Sequence, residues 1–232
     1  MTMKLYGSRL SPYVERVYQQ VQMKGIADEV DFAGLPKDGI KSPEYLALNP
    51  FGKMPVLIDG DKAIPESTII CEYIENKFPA TPMMPTKKDD HLAVNMVMRM
   101  LDIYIFQNLF ELASARGSDM DPEAMAAKLG TVASGIDVIE QYVTGGDNLI
   151  GDDRTLADCA FLPAAFFFDR LLVPAGIDAY MDRPNISAWR DANKGGDWWD
   201  ECFEVMDKEL ALFMQRLAEE RAAAQAEGQP VN

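Results

Sequence analysis

Histidine and cysteine are scarce in this sequence, and long apolar runs are absent. The 232 residues include one histidine, His91, and three cysteines, Cys71, Cys159 and Cys202, which are far apart and form no CxxC pair. This composition argues against a disulfide framework, a zinc site and hydrolysis by a serine, histidine and aspartate triad. No stretch approaches the roughly 20 apolar residues of a membrane-spanning helix, and the first residues, MTMKLYGS, show no basic region followed by an apolar stretch. We therefore expect a cytoplasmic protein that has no metal site and no membrane partner.

Basic residues are also few. The net charge is −15, with 22 lysines and arginines against 37 aspartates and glutamates. Nucleic-acid phosphates need basic partners, so we expect no nucleic-acid partner. Residues 1–85 hold nine basic and eleven acidic residues, which leaves thirteen basic and twenty-six acidic residues for the rest of the chain. This asymmetry predicts two domains, of which the second carries most of the negative charge.

The first part of the sequence alternates strand and helix patterns. We predict strands at 4–6, 29–32, 56–58 and 62–64, and helices at 12–23, 43–47 and 67–77, in the order β-α-β-α-β-β-α. The segment from Phe78 to Pro85 contains three prolines, which predicts a linker. We place the first domain at residues 1–80, the linker at 81–87 and an all-helical second domain at 88–232. In the second domain, apolar residues from Met125 to Val143 step by three and four, as on one face of a helix.

Two further patterns belong to the second domain. The sequence Thr155-Leu-Ala-Asp158 follows a Gly-Asp-Asp turn and predicts a helix that begins with a capping box, to which we assign a folding role. Trp198 and Trp199 follow a Gly-Gly-Asp sequence, and we expect them in a loop before the last helix. There they either cap a pocket or fix that helix.

The segment from Asn49 to Ile74 is the most informative part of the chain. Pro55 cannot donate to a strand ladder, so the backbone groups of Met54 stay free, and a cis Met54–Pro55 bond would turn them towards a cleft. Ser67 and the free amides of the helix that begins there favour a carboxylate, and Glu66 favours an ammonium group. A ligand with an amide backbone, an α-carboxylate and an α-amino group would satisfy all three features.

These residues, together with the N-terminal LYGSRLSPYVERV, resemble the glutathione transferase superfamily. The resemblance implies an α/β thioredoxin-like N-terminal domain plus an all-α C-terminal domain, glutathione as cofactor and a small apolar electrophile as second substrate. Met54 and Pro55 stand where that family binds the cysteinyl backbone of glutathione. Glu66 and Ser67 stand where it binds the γ-glutamyl end, and Ser11 stands where it places the residue that activates the thiol.

Ser11 has two possible roles on the residues alone. Serine before proline is an ordinary N-cap of a helix that begins with proline. A hydroxyl that donates to a thiolate supplies about 1.5–3 kcal/mol, and lowering a thiol pKa near 8.5 by about two units needs roughly 2.7 kcal/mol, so no histidine is required. Tyr6 is the rival hydroxyl, but it lies within the first predicted strand. In the context of the resemblance we predict that Ser11 is catalytic.

The remaining candidate residues are lysines and aromatic residues. Lys41 and Lys53 are candidate glutathione contacts, because an anionic ligand depends on local positive charge in an acidic protein. Tyr13, Tyr104 and Phe110 are candidate contacts for the second substrate, whose pocket should be apolar and lie between the domains. Each of these aromatic side chains is also compatible with a place in the core.

The reaction remains open at this point. The sequence RLSPYVER resembles the omega-class pattern, and tau-type transferases share its Ser-Pro step. Serine in place of the omega-class cysteine favours conjugation or glutathione-dependent ether cleavage over thiol transfer. Bacterial β-aryl etherases have comparable N-terminal motifs, and a second domain rich in Phe and Met suits an aromatic substrate. A zeta-type isomerase is disfavoured because the Ser-Ser-Cys run of that class is missing.

Two expectations concern assembly and the alternative to catalysis. We expect a homodimer, or a heterodimer with a homologue, whose interface joins the first domain of one subunit to the Asp89–Ala115 helix of the other. The alternative function is that of a ligand-binding protein or dimerisation module of the same fold that does not catalyse a reaction.

Overall fold

The computed structural model describes residues 2–114 and 121–226. Its N-terminal part contains a mixed four-stranded sheet of order β2-β1-β3-β4, in which β1 is parallel to β2 and β3 is antiparallel to both β1 and β4. The strands are β1 (Met3–Tyr6), β2 (Val30–Gly34), β3 (Val56–Asp59) and β4 (Lys62–Pro65), and the helices are α1 (Pro12–Met23), α2 (Pro43–Leu48) and α3 (Ser67–Lys77). The predicted thioredoxin-like order of strands and helices is confirmed.

The second strand differs from the prediction at both ends. Glu29 belongs to a short 3-10 turn, Ala27–Glu29, and the strand continues to Gly34, which pairs with Tyr6 of β1. The apolar pattern that predicts this strand stops at Phe32. Backbone pairing does not require apolar side chains, so the hydrogen-bond ladder between β1 and β2 extends beyond that pattern.

The described residues of the C-terminal part form helices joined by loops, without a strand. Its helices are α4 (Lys88–Met100), α5 (Gln107–Ser114), α6 (Pro122–Glu140), α7 (Leu156–Phe167), α8 (Pro184–Asn193) and α9 (Asp197–Ala226). A π-helical turn, Leu101–Phe106, joins α4 to α5, so the predicted helix from Asp89 is confirmed as far as Ser114, while Ala115 lies outside the described residues. No described helix combines the length and apolar character needed to cross a membrane.

Helix α7 lies at the centre of the molecule. All of its residues are buried, and it packs against α1 of the sheet domain as well as against α4 and α9. The predicted capping box is present: Asp158 Oδ2 accepts from the Thr155 amide at 2.8 Å, while Asp158 Oδ1 accepts from the Leu149 amide and from Trp189 Nε1, both at 2.8 Å. Asp158 therefore ties the start of α7 to the preceding loop and to α8.

The predicted loop position of Trp198 and Trp199 is wrong. Helix α9 begins at Asp197, so both residues lie in its first turn. The Trp199 ring stacks on Phe203 with centroids 4.7 Å apart and also contacts Trp189 at 5.7 Å. The aromatic pair thus fixes the start of α9 against α8.

Candidate functional site

The strand register brings the three predicted site segments to one edge of the sheet. Tyr6 lies opposite Val56, and Val56 lies opposite Pro65. The chain leaves the sheet after Tyr6, enters it at Val56 and leaves it again after Pro65. Three segments therefore begin or end side by side at this edge: the loop that carries Ser11, the Met54–Pro55 pair and the Glu66–Ser67 pair.

The loop from Gly7 to Ser11 follows a path that only glycine permits at its start. A Cβ on Gly7 would lie 2.4 Å from Val14 Cγ2. Ser11 is the N-cap residue of α1, and its carbonyl accepts from the amides of Val14 at 3.0 Å and Glu15 at 2.9 Å. Its side chain makes no capping hydrogen bond. The N-cap position predicted for Ser11 is confirmed, but its hydroxyl is not used to cap the helix.

Two other residues near the loop, Ser8 and Tyr6, carry hydroxyl groups. Ser8 Oγ donates to Glu209 Oε2 at 2.6 Å, and the Ser8 amide donates to Met54 Sδ at 3.5 Å. Tyr6 is half-buried in β1, and its ring meets the edge of Tyr45 at 6.3 Å between centroids. Ser8 therefore connects the loop to the Met54 segment, and Tyr6 lies within the sheet as predicted.

The segment before Pro55 is held by side chains of its own domain. Tyr45 Oη and Asn49 Nδ2 both donate to the Lys53 carbonyl, at 2.9 Å and 2.8 Å. The Met54–Pro55 peptide bond is cis. No backbone hydrogen bond joins Met54 to any part of the chain that the structure describes. Its amide and carbonyl groups are thus available for an extended ligand, as the sequence predicts.

Glu66 has an unusual backbone conformation at the N-cap position of α3. Its φ is 70° and its ψ is 111°, values that cost a non-glycine residue about 1–3 kcal/mol. Its side chain is exposed and makes no capping bond. Ser67 follows as the first residue of α3, is 6% exposed and accepts from Arg16 Nη1 at 3.4 Å. Strained residues of this kind are concentrated at functional sites.

Arg16 is a site residue that the sequence did not reveal. It is fully buried, and its Nη2 donates to Asp102 Oδ1 at 2.7 Å. The guanidinium carbon lies 5.4 Å from the Tyr13 ring centroid. Asp102 belongs to the π-helical turn of the C-terminal part, so Arg16 links that part to Ser67. No local pattern marks Arg16, because its partner is 86 residues away.

The two candidate lysines flank the Met54 segment. Lys41 Nζ donates to the Phe51 carbonyl at 3.3 Å, and both Lys41 and Lys53 are exposed. Their contact with a ligand stays a prediction. Across residues 2–114 and 121–226, no group of three or more His, Cys, Asp or Glu side chains is arranged to hold a metal ion.

An aromatic cluster lies beside the start of α1. The Tyr13 ring centroid is 5.4 Å from that of Phe106 and 6.1 Å from that of Phe110, and Phe110 lies 5.8 Å from Phe167. Phe106 and Phe167 are buried, whereas Tyr13 and Phe110 are partly exposed. Burial raises the pKa of Tyr13 to about 12, so its hydroxyl stays protonated at neutral pH. Tyr13 follows Ser11 by two residues in the sequence, and together with Phe110 it forms an apolar wall beside the start of α1.

Tyr104 is not part of this cluster. It is 48% exposed and lies in a groove of about 570 Å³ between the α4–α5 helix and α6. Side chains two residues apart on a helix point in different directions, so Tyr104 and Phe106 face different sides. The structure thus brings together two of the three predicted contacts for the second substrate.

Comparison with known proteins agrees with this geometry. A family model of the glutathione S-transferase N-terminal domain matches residues 5–82, and one of the glutathione S-transferase C-terminal domain matches residues 122–192. Glutathione S-transferase 3 of Zea mays is 32% identical over 207 residues, which cover 85% of this chain and 87% of the maize protein. Glutathione S-transferase F9 of Arabidopsis thaliana is 31% identical over 211 residues, which cover 87% of this chain and 96% of that protein.

Solved structures show the same fold. Glutathione transferase F7 from Populus trichocarpa has a TM-score of 0.71 at 22% identity and covers 88% of this chain and 99% of its own. A glutathione transferase homologue from Drosophila mojavensis, solved with bound glutathione, has a TM-score of 0.75 at 22% identity and covers 90% and 95%. The likeness of RLSPYVER to the tau and omega classes stays a prediction. From its two matching domains and its similarity to these relatives, the chain belongs to the glutathione S-transferase family, a family of enzymes that use glutathione.

Proposed function

We propose that this protein is a glutathione transferase in which the Ser11 hydroxyl stabilises the thiolate of glutathione for attack on an apolar, aromatic electrophile. The observation that supports this most is the state of the Ser11 side chain. It stands at the start of α1 without a capping bond. The loop that leads to it starts at the sheet edge where the segments of Met54 and Ser67 also meet the sheet. A hydroxyl that makes no capping bond, near an edge with free backbone groups, is suited to a ligand.

The groups along this edge fit glutathione part by part. The unpaired backbone groups of Met54 suit the cysteinyl amide, as strand-like pairing does for an extended peptide. The hydroxyl of Ser67 and the N-terminus of α3 suit the γ-glutamyl carboxylate. The exposed carboxylate of Glu66 suits the neighbouring ammonium group. Lys41 and Lys53 are the cations on the adjoining segment that we propose for the remaining negative charge.

The chemical task of the protein is to make the thiolate available. Bound glutathione supplies the nucleophilic sulfur. Ser11 donates a hydrogen bond to that sulfur, and one such bond to an anion contributes about 1.5–3 kcal/mol. The dipole of α1, which begins at Pro12, adds a few tenths of a kcal/mol. Ser11 therefore lowers the pKa of the thiol without acting as a base.

The second substrate is proposed to lie against the aromatic cluster. Tyr13 and Phe110 are its partly exposed members, and aromatic rings pack on each other at the distances observed within this cluster. Tyr104, in its separate groove, is a weaker candidate for the same role. An aryl halide undergoing conjugation and an aryl ether undergoing cleavage both fit an apolar wall close to Ser11.

We also propose that the protein is a cytoplasmic dimer. Phe51 projects from the first domain and is 72% exposed, while Ile69 on α3 and Leu92 on α4 are 51% and 57% exposed. Burial of such side chains against a second subunit would be favourable. An identical chain and a homologue are both compatible with this surface. Three buried, unpaired thiols support a reducing compartment.

The proposal is tested by a panel of acceptors. Turnover of aryl halides, aryl ethers and epoxides with glutathione would be measured beside equilibrium retention of a hydrophobic dye. We expect turnover of at least one aryl electrophile. A protein that binds glutathione and the dye but turns over none of these acceptors would instead be the binding protein considered as the alternative.

A further inference from the structure

Helix α9 holds the loop that carries Ser11 at two neighbouring residues. Ser8 Oγ donates to Glu209 Oε2 at 2.6 Å. Arg9 donates to Glu201 through Nη1 at 2.6 Å and through Nη2 at 2.9 Å. Glu201 and Glu209 are separated by slightly more than two helical turns, so both side chains lie on the side of α9 that faces the loop. The last helix of the chain thus reaches the site on the sheet edge.

The two contacts differ in how much they depend on α9. Arg9 also donates to the buried Glu15 through Nε at 2.8 Å and Nη2 at 2.7 Å, and its guanidinium carbon lies 3.5 Å from the Tyr18 ring centroid. These contacts fix Arg9 on α1 without help from α9. The Ser8 hydroxyl, by contrast, donates to Glu209. Glu209 is therefore the α9 residue that determines the conformation of Ser8.

Ser8 in turn organises the loop as far as Ser11. Its Oγ accepts from the Leu10 amide at 3.2 Å, and its carbonyl accepts from the Ser11 amide at 3.0 Å. A side chain that bonds the amide two residues on forms a local turn. A hydroxyl that donates to a carboxylate becomes a better acceptor, so the bond to Glu209 strengthens the bond from Leu10.

The bond between Ser8 and Glu209 also determines which of the two serines, Ser8 or Ser11, can donate a hydrogen bond to a ligand. Ser8 lies against the Met54 segment, because its amide donates to Met54 Sδ. A hydroxyl has one proton, and that of Ser8 is directed to Glu209. Resting on the function proposed above, we propose that Glu209 is a positioning residue. It engages the Ser8 hydroxyl, fixes the turn over residues 8–11 and leaves Ser11 as the hydroxyl that donates to the sulfur.

The test compares Glu209→Ala with Glu209→Gln, which keeps an acceptor oxygen. Thiolate absorbance gives the pKa of the bound thiol, calorimetry gives the glutathione Kd, and the pH profile of kcat/KM is recorded in parallel. Removing the carboxylate charge and freeing the Ser8 proton would by themselves lower the thiol pKa, but we expect the loss of the turn that places Ser11 to outweigh both. Glu209→Ala should then raise the thiol pKa by about 0.5–1 unit, so that neutral-pH turnover falls by roughly three- to tenfold. The glutathione Kd should stay within about twofold, and Glu209→Gln should restore most of the wild-type titration.

Ser8→Ala removes the same hydrogen bond by deleting its donor. It replaces Glu209→Ala in the test if that variant fails to fold. The double variant should be no worse than Glu209→Ala alone, since the two residues act through one interaction. Glu204→Ala is the matched control, because Glu204 lies on α9 and bonds Lys208 instead of the loop.

The outcomes separate the two proposals. Unchanged titration in both Glu209→Ala and Ser8→Ala, with a shift in Ser11→Ala, would overturn the positioning role and leave the proposed function standing. Unchanged titration in Ser11→Ala as well would overturn the proposed function itself.

Discussion

Ser11 is the N-cap residue of α1, and its hydroxyl makes no capping hydrogen bond. Replacing it with alanine should raise the pKa of the bound thiol by about one to two units, or roughly 1.4–2.7 kcal/mol. The thiolate fraction at neutral pH then falls, so turnover should drop by about ten- to hundredfold and recover only at higher pH. The titration is followed by thiolate absorbance, with glutathione affinity expected to change little.

The folded state provides the control for Ser11→Ala. Because the side chain makes no capping bond, the free energy of unfolding should change by less than about 0.5 kcal/mol, which circular dichroism during urea unfolding would measure. Tyr13→Phe should leave the thiol titration in place, since we propose that Tyr13 contacts the second substrate and that Ser11 donates to the sulfur. Wild-type activity in Ser11→Ala would remove the serine from the mechanism.

Glu66 offers a second prediction at the residue scale, because its backbone is strained and its carboxylate is proposed to bind glutathione. Glycine tolerates a φ of 70°, whereas alanine does not. Glu66→Gly should therefore be more stable than Glu66→Ala by roughly 1 kcal/mol in urea unfolding. Both variants lose the carboxylate, so both should bind glutathione about tenfold more weakly by calorimetry. Equal stability of the two variants would argue against backbone strain at this position.

The sequence predicts the role of a single residue where its immediate neighbours in the chain indicate its backbone environment. Ser11, Met54 and Ser67 stand next to a proline or at a helix start, and these local features indicate their backbone environment. Arg16 and Glu209 carry no such mark, because each acts on a residue that is distant in sequence. Their roles follow only from how the helices pack.

At the scale of elements, the contribution of the α7 capping box to the free energy of unfolding can be tested. Asp158→Ala would leave the buried amides of Leu149 and Thr155 and the Trp189 indole without their acceptor. Each orphaned donor costs about 1–3 kcal/mol, so the free energy of unfolding should fall by about 3 kcal/mol or more. Urea unfolding followed by tryptophan fluorescence would measure this loss.

The matched variant for that experiment is Asp153→Ala, which removes an exposed carboxylate from the preceding turn and should change stability by less than about 0.5 kcal/mol. A loss for Asp158→Ala no larger than that of the control would show that the box is dispensable.

Elements were predicted well where termini carry capping or proline signals. Helix α1 begins at Pro12 and α3 at Ser67, as predicted. The π-helical turn at Leu101–Phe106 does not follow from the sequence, because such turns are rare and too short to show a periodicity of their own. The position of Trp198 was missed because Asp197 starts a helix directly after two glycines, where loop composition and helix start overlap.

At the scale of the whole molecule, the predicted dimer depends on exposed apolar side chains. Phe51→Ser removes the most exposed of those in the first domain, and burial of one such side chain contributes about 1.5–3 kcal/mol. The dimer dissociation constant should therefore rise by about ten- to hundredfold, as measured by sedimentation velocity over a concentration series.

Met181→Ser is the control for this experiment, because Met181 is 64% exposed but lies between α7 and α8, outside the segments proposed for the interface. A wild-type protein that sediments as a monomer at micromolar concentration would end the dimer proposal.

The burial of the three cysteines has a consequence for durability. Cys71 and Cys159 are almost inaccessible, and burial raises the pKa of Cys71 to about 12 and that of Cys159 well above its ordinary value. Cys202 is fully buried, and burial raises its pKa as well. Only a thiolate reacts readily with soft electrophiles. The three buried thiols are thus protected against alkylation by the electrophiles that we propose the protein brings to the glutathione sulfur.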